Sequence, residues 1–211
     1  MSARPVAGEA RDTRREILDT ALELFAEHGF HATSVRAIAR AVGVRESALY
    51  HHFSSKEAIL EAVVDDRVQA RLAVLQDHLE ALERPLSELL TRFAEQILQQ
   101  LESPKERRFM RLAMSLGVPL LDEHSPFKRI VEARARVTAV LDLLKRRGRI
   151  RADLDPDVFM LHFAAPLLVA SGVLFPGGRS PVRAPLKQFI RDHVAFILRA
   201  VAPEAGDGAA G

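Results

Sequence analysis

The chain has no cysteine and no tryptophan, and its 211 residues include a single tyrosine. Without cysteine there is no disulfide framework, no thiolate metal site and no cysteine nucleophile, and the redox compartment leaves no mark on the sequence. An excess of one charge is missing too: 30 Lys and Arg stand against 28 Asp and Glu, a formal net charge of +2. Any surface for a polyanion must therefore be a local patch. The N-terminal stretch MSARPVAGEARDTRRE lacks an apolar signal core, which predicts a cytoplasmic protein. One run, Val158 to Phe175, carries no formal charge and has the length of a membrane span. His162 and Pro166 in its middle, the acidic flank Asp153, Asp155 and Asp157, and the lack of an aromatic belt speak against that reading. A helix apolar on all sides is also expected where one face meets its own core and the other a second subunit.

At 48% hydrophobic and 27% charged, the composition predicts a globular protein of one or two domains. No strand alternation persists, and the chain is punctuated by helix starts. Ser103-Pro104, Ser125-Pro126 and Asp155-Pro156 each pair an N-cap residue with a proline at the first helical position, and Pro85 and Pro185 open two more helices. Ser54 and Glu57, and Ser103 and Glu106, have capping-box spacing. The pattern predicts an all-α fold of about nine helices, near 13–28, 35–42, 46–52, 55–83, 86–101, 104–116, 126–147, 156–174 and 185–201. Residues 1–12 and 203–211 read as disordered. Residues 13–57 form a first domain and 58–202 a second, with the long fourth helix as a mechanical link between them.

Within 13–57, Ile17, Leu18, Ala21, Leu22 and Phe25 share one face of the first helix, and Val35, Ile38, Ala39 and Val42 share one face of the second. Gly43 can take a left-handed turn, Val44 can plug the corner, and Leu49 and Phe53 lie one turn apart on a short third helix. This is the helix-turn-helix pattern. A helix meant only for solvent would carry Glu and Lys on its outer face. This one carries Ser47, Ala48, Tyr50, His51 and His52, with Lys56 just beyond. Small residues permit close approach to a groove, Tyr and His donate to phosphate oxygens, and Lys supplies charge. Helix starts at Ser34 and at Ser54 or Ser55 offer backbone N–H groups as well. Adjacent histidines point about 100° apart on a helix, and no carboxylate stands nearby at ligand spacing, so neither a metal nor a cofactor is expected.

Residues 13–64 closely resemble the DNA-binding domain of the TetR family of bacterial transcriptional regulators. The resemblance rests on Phe25…Gly29-Phe30, Thr33-Ser34-Val35, Ile38-Ala39, Gly43-Val44, Leu49-Tyr50-His51-His52-Phe53 and Ser55-Lys56-Glu57. It implies that the helix bearing Leu49 and Tyr50 enters the major groove, and that Thr33, Tyr50, His52 and Lys56 hold phosphates. Two positions depart from the family pattern. Arg45 stands where the family often has a serine N-cap, and Glu46 puts negative charge on the DNA side, where it either favours the helix dipole or accepts from a cytosine amine.

The remainder resembles the family only in helix count and length. Phe93, Ile97, Phe109, Met110, Ala113, Met114, Phe127, Ile130, Phe159 and Phe163 fall on inward faces, with Arg134 and His162 as lone polar groups inside apolar runs. Such a set fits either ordinary core or a cavity for an apolar small-molecule effector with one polar handle. Leu186, Phe189, Ile190, Val194, Phe196 and Ile197 cover more than one face of the last helix, which predicts a two-fold homodimer. The expected function is a dimeric repressor that binds a palindromic operator in double-stranded DNA and is released by an effector. A regulator answering to a protein partner is the alternative. An enzyme is not expected, because the later helices offer no Glu-x-x-His pair or similar cluster.

Overall fold

Side chains hold the starts of several helices: Asp12, Ser34, Ser55 and Asp155 each accept a backbone N–H one turn or less ahead. In the computed structural model, residues 12–79, 83–117, 128–174 and 183–203 are described. Among them are nine helices and no strand: α1 (Thr13–His28), α2 (Val35–Val42), α3 (Glu46–His52), α4 (Lys56–Leu79), α5 (Leu86–Leu101), α6 (Pro104–Ser115), α7 (Lys128–Arg146), α8 (Pro156–Leu174) and α9 (Arg183–Val201). The Ser125-Pro126 start lies outside the described residues. Pro185 does not open α9 but is its third residue, still within the first turn, where a missing N–H breaks no helical bond.

The chain divides into two compact units, one of residues 1–64 and 108–117, the other of 65–107 and 118–211. Both boundaries fall inside helices, in α4 and in α6. The first unit buries Ile17, Leu22 and Phe25 of α1, Ile38 of α2, Leu49 of α3 and Ile59 of α4. The second half of α6 belongs to this unit, with Phe109 and Leu112 buried and Arg108 paired with Glu23 of α1.

In the second unit α5 packs on α8 and α9, and α8 packs on α7 and α9. Its core joins Leu90, Ala94 and Leu98 of α5 to Leu141 and Leu144 of α7, Phe163 and Leu167 of α8, and Ile190, Val194 and Ile197 of α9. Phe163 stacks on Phe93 at 5.5 Å and on Phe159 at 5.7 Å, and Phe189 stacks on the His193 ring at 5.7 Å. Pro166 interrupts α8 and removes the N–H that would bond the carbonyl of His162. In the same turn, the buried His193 places Nε2 2.9 Å from the Phe163 carbonyl oxygen. A carbonyl only accepts, so Nε2 carries the proton. No helix among the described residues is long and apolar enough to cross a membrane.

The start of α8 is held by Asp155, whose carboxylate accepts from the backbone N–H of Asp157 at 2.8 Å and of Val158 at 3.0 Å. Those two bonds favour the ionised form and hold the carboxyl below its ordinary range. A carboxyl with a lowered folded-state pKa stabilises the fold above its unfolded value, and that stability is lost as pH falls through the folded value. Asp155→Ala should therefore lower Tm at neutral pH. The difference from wild type should shrink as pH falls below about 4, as measured by thermal melts across pH.

Candidate nucleic-acid interface

The inner side of the α2–α3 segment is closed by packing, and its outer side is open. Ser34 caps α2, its Oγ accepting from Ala37 N–H at 3.1 Å. The N–H groups of Val35 and Arg36 have no acceptor among the described residues. α2 ends at Gly43, which has φ 79° and ψ 29°, a conformation that costs any other residue about 1–2 kcal/mol. Val44 N–H then returns to the Ala39 carbonyl at 3.0 Å and locks the turn. α3 starts at Arg45, whose side chain makes no capping bond, so Glu46 in the first turn is the acidic group that complements the dipole. Leu49 is fully buried and Phe53 nearly so, while Arg45, Glu46, Ser47, His51 and His52 are exposed and Ala48 is half-buried. Tyr50 is 49% exposed, a large aromatic facing solvent. Arg36, Arg40 and Arg45 are also exposed, and none is paired with a described carboxylate. The expected residues missed Arg36 and Arg40, although their spacing of four on the polar face of α2 makes them neighbours.

Two of the residues expected to hold phosphates, Thr33 and Lys56, are differently engaged. Thr33 is 3% exposed, and its hydroxyl donates to the Gly29 carbonyl at 2.8 Å, with the Leu24 carbonyl at 3.3 Å. It closes the α1–α2 turn, and its side chain is not presented to a ligand. Lys56 is half-buried. Its Nζ donates to the Phe30 carbonyl at 2.9 Å and the His31 carbonyl at 3.4 Å, and lies 4.4 Å from the centroid of the Phe30 ring. Its ammonium ties the start of α4 to the same turn. Of the two serines, Ser55 is the cap of α4, accepting from Ala58 N–H at 3.1 Å. The Glu57 carboxyl is held below its ordinary range by its own backbone N–H and by the Ser55 hydroxyl. An acidic group thus already occupies the α4 N-terminus.

The residues expected to line an effector cavity do not gather in one unit. Phe93, Ile97, Phe159 and Phe163 belong to the core of the second unit. Phe109, Met110 and Ala113 are buried in the first, and Met114 is 69% exposed, because the buried side of this part of α6 is formed by 109, 110, 112 and 113. Arg134 is no lone polar group: it forms a two-pronged ion pair with Asp157 at 2.7 and 2.9 Å. His162 is exposed, one residue off the buried Phe159–Phe163 stripe of α8. Phe127 and the side chain of Ile130 lie outside the described residues. The polar group buried in this core is His193, which the apolar periodicity of α9 concealed.

The expected dimer face is corrected as well. Ile190, Val194 and Ile197 are buried in their own unit, and Leu186 and Phe189 are half-buried against the same core. α9 packs against both α5 and α8, so it needs two apolar faces within one chain. Only Phe196 of the six remains exposed, joined by Val158, Leu161 and Val169 of α8.

From its contacts, Lys56→Met should weaken the first unit by about 1–2 kcal/mol, as two charge-assisted bonds to carbonyls are lost. Chemical unfolding would measure the loss, and hydrogen exchange should localise it to the α1–α2 turn.

The geometry is matched by what the chain resembles. The family model described as "Bacterial regulatory proteins, tetR family" matches residues 17–63. The HTH-type transcriptional regulator UidR of Escherichia coli K12 is 39% identical over 74 residues, and the match spans 35% of this chain and 38% of UidR. The HTH-type transcriptional repressor KstR2 of Mycobacterium tuberculosis is 27% identical over 210 residues, covering 94% of this chain and 98% of the repressor. Its solved structure superposes with a TM-score of 0.65 at 26% identity, over 94% of this chain and 99% of that one. PfmR of Thermus thermophilus, described as a TetR family transcriptional regulator, superposes with a TM-score of 0.64 at 26% identity, over 92% and 97%. The signature over residues 17–63, with the likeness to KstR2 along nearly the whole chain, supports a TetR-family transcriptional regulator.

Proposed function

We propose that the chain is a dimeric transcriptional repressor that binds a palindromic operator through α3 and is released by an apolar effector. The observation that carries the DNA reading is the two-sidedness of α2–α3. Leu49 and Phe53 fix the helix from inside, and Tyr50, His51, His52, Arg36, Arg40 and Arg45 stand exposed outside it. Tyr50 and the arginines suit phosphate oxygens, whereas Ser47 and Ala48 are small enough to let the backbone approach base edges. Lys56 supports this surface by fixing the α1–α2 turn.

For the dimer, the exposed faces of α8 and α9, which pack on one another, offer Val158, Leu161, Val169 and Phe196. Apolar side chains of this size on adjoining helices favour a self-complementary contact. For the effector, the aromatic set Phe93, Phe159, Phe163 and Phe189, with His193 as its one polar member, suits a carbon skeleton bearing a carbonyl or hydroxyl group. KstR2, described as a ketosteroid transcriptional regulator, gives that chemistry a precedent.

The test of the DNA reading is a footprint on genomic fragments that the purified protein retains. A two-fold symmetric protected site is expected, with half-sites about one helical turn apart. Tyr50→Ala should weaken binding to that site at least tenfold and leave Tm unchanged. An asymmetric footprint, or full affinity in the variant, would count against α3 as the reading element. Separately, Val169→Glu with Phe196→Glu should convert the dimer to a folded monomer in sedimentation. A dimer of unchanged mass would show that these helices do not form the interface.

A further inference from the structure

Arg14 lies in the first turn of α1, the end of a helix where a cation is electrostatically disfavoured. Its neighbour Arg15 has local partners: its backbone N–H donates to the capping Asp12 and its side chain reaches Asp19. Arg14 pairs with no carboxylate among the described residues, and its side chain is exposed. Instead its guanidinium carbon lies 5.2 Å from the centroid of the Phe53 ring. Phe53 is the residue that ends α3, its N–H returning to the Leu49 carbonyl at 3.0 Å, and the His52 ring is centred 6.5 Å from its own. The cation on α1 is therefore held at the end of α3, beside the exposed histidines. Contact with an aromatic face restrains the guanidinium while leaving its N–H groups available to an acceptor.

We propose that Arg14 grips a backbone phosphate of duplex DNA flanking the groove that α3 enters, with Phe53 as the platform that presents it. This rests on the DNA reading above and extends the contact surface from α2–α3 to the start of α1. The contact is to the phosphodiester and carries no base preference.

The test uses the full-length protein and a fluorescein-labelled duplex of random sequence, titrated by anisotropy over a series of KCl concentrations. Wild type is compared with Arg14→Gln and Arg14→Lys, each checked by thermal melt. Arg14→Gln should bind about three- to tenfold more weakly at low salt, and its plot of log affinity against log salt should be shallower by about 0.9 per chain. Arg14→Lys, which keeps the charge but not the flat fork, should keep the slope and lose part of the affinity. A glutamine variant with the wild-type slope, whether or not its Tm falls, would overturn the proposal and leave Arg14 as packing for Phe53. Wild type that shows no salt-dependent binding to any duplex would overturn the DNA reading itself, and Arg14 with it.

Discussion

A helix of seven residues has no stability of its own in water, because nucleation costs more than so few hydrogen bonds return. α3 is such a helix, and its side chains can act as a unit only because Leu49 and Phe53 anchor it from beneath. The rest of the first unit serves that anchorage. The left-handed Gly43 sets the angle at which α3 leaves α2. Thr33 and Lys56 brace the α1–α2 turn from two sides, one through its hydroxyl and the other through its ammonium. Phe53 serves twice, closing the core and presenting its ring to Arg14. The consequence is a short outer face with almost no freedom to move independently. That is the condition for reading a groove at fixed register.

Local chemistry made much of this legible in the sequence. Ser34, Gly43 and Asp155 mark helix ends because their side chains, or the lack of one, satisfy or permit a particular backbone geometry. Such rules need no knowledge of the rest of the fold, and they placed the helix boundaries within a few residues. The buried faces of α1, α2 and α3 were legible for a similar reason, since a short amphipathic helix has one apolar stripe and one thing to do with it.

What stayed hidden depended on neighbours distant in sequence. A wide apolar surface on α9 is equally consistent with a second subunit and with two neighbouring helices of the same chain. Here α5 and α8 take Ile190, Val194 and Ile197, leaving Phe196 to the outside. Arg134 read as an orphan because Asp157, its partner at 2.7 Å, lies 23 residues away. α6 looked like one continuous piece of an effector domain, yet its second half packs with the first unit. Lys56 belongs to the same class: its motif position resembles a phosphate ligand, but its nearest acceptors are carbonyls of a turn 25 residues earlier. Periodicity tells which face is buried and is silent on what buries it.

The charge distribution shows how a chain of net charge +2 can still present a cationic surface. In the second unit many bases are neutralised where they stand: Arg134 by Asp157, Arg147 by Glu83, Arg151 by Asp153 and Arg84 by Glu88. On α1 the acids Asp19 and Glu23 take Arg15 and Arg108. Arg14, Arg36, Arg40 and Arg45 are left without a described carboxylate, and all four lie on or against the α2–α3 segment. A local field depends on bases that remain unpaired and not on the total, so pairing elsewhere sharpens the patch without adding a single positive charge. A polyanion meets a stronger local field at such a patch than the net charge alone would give.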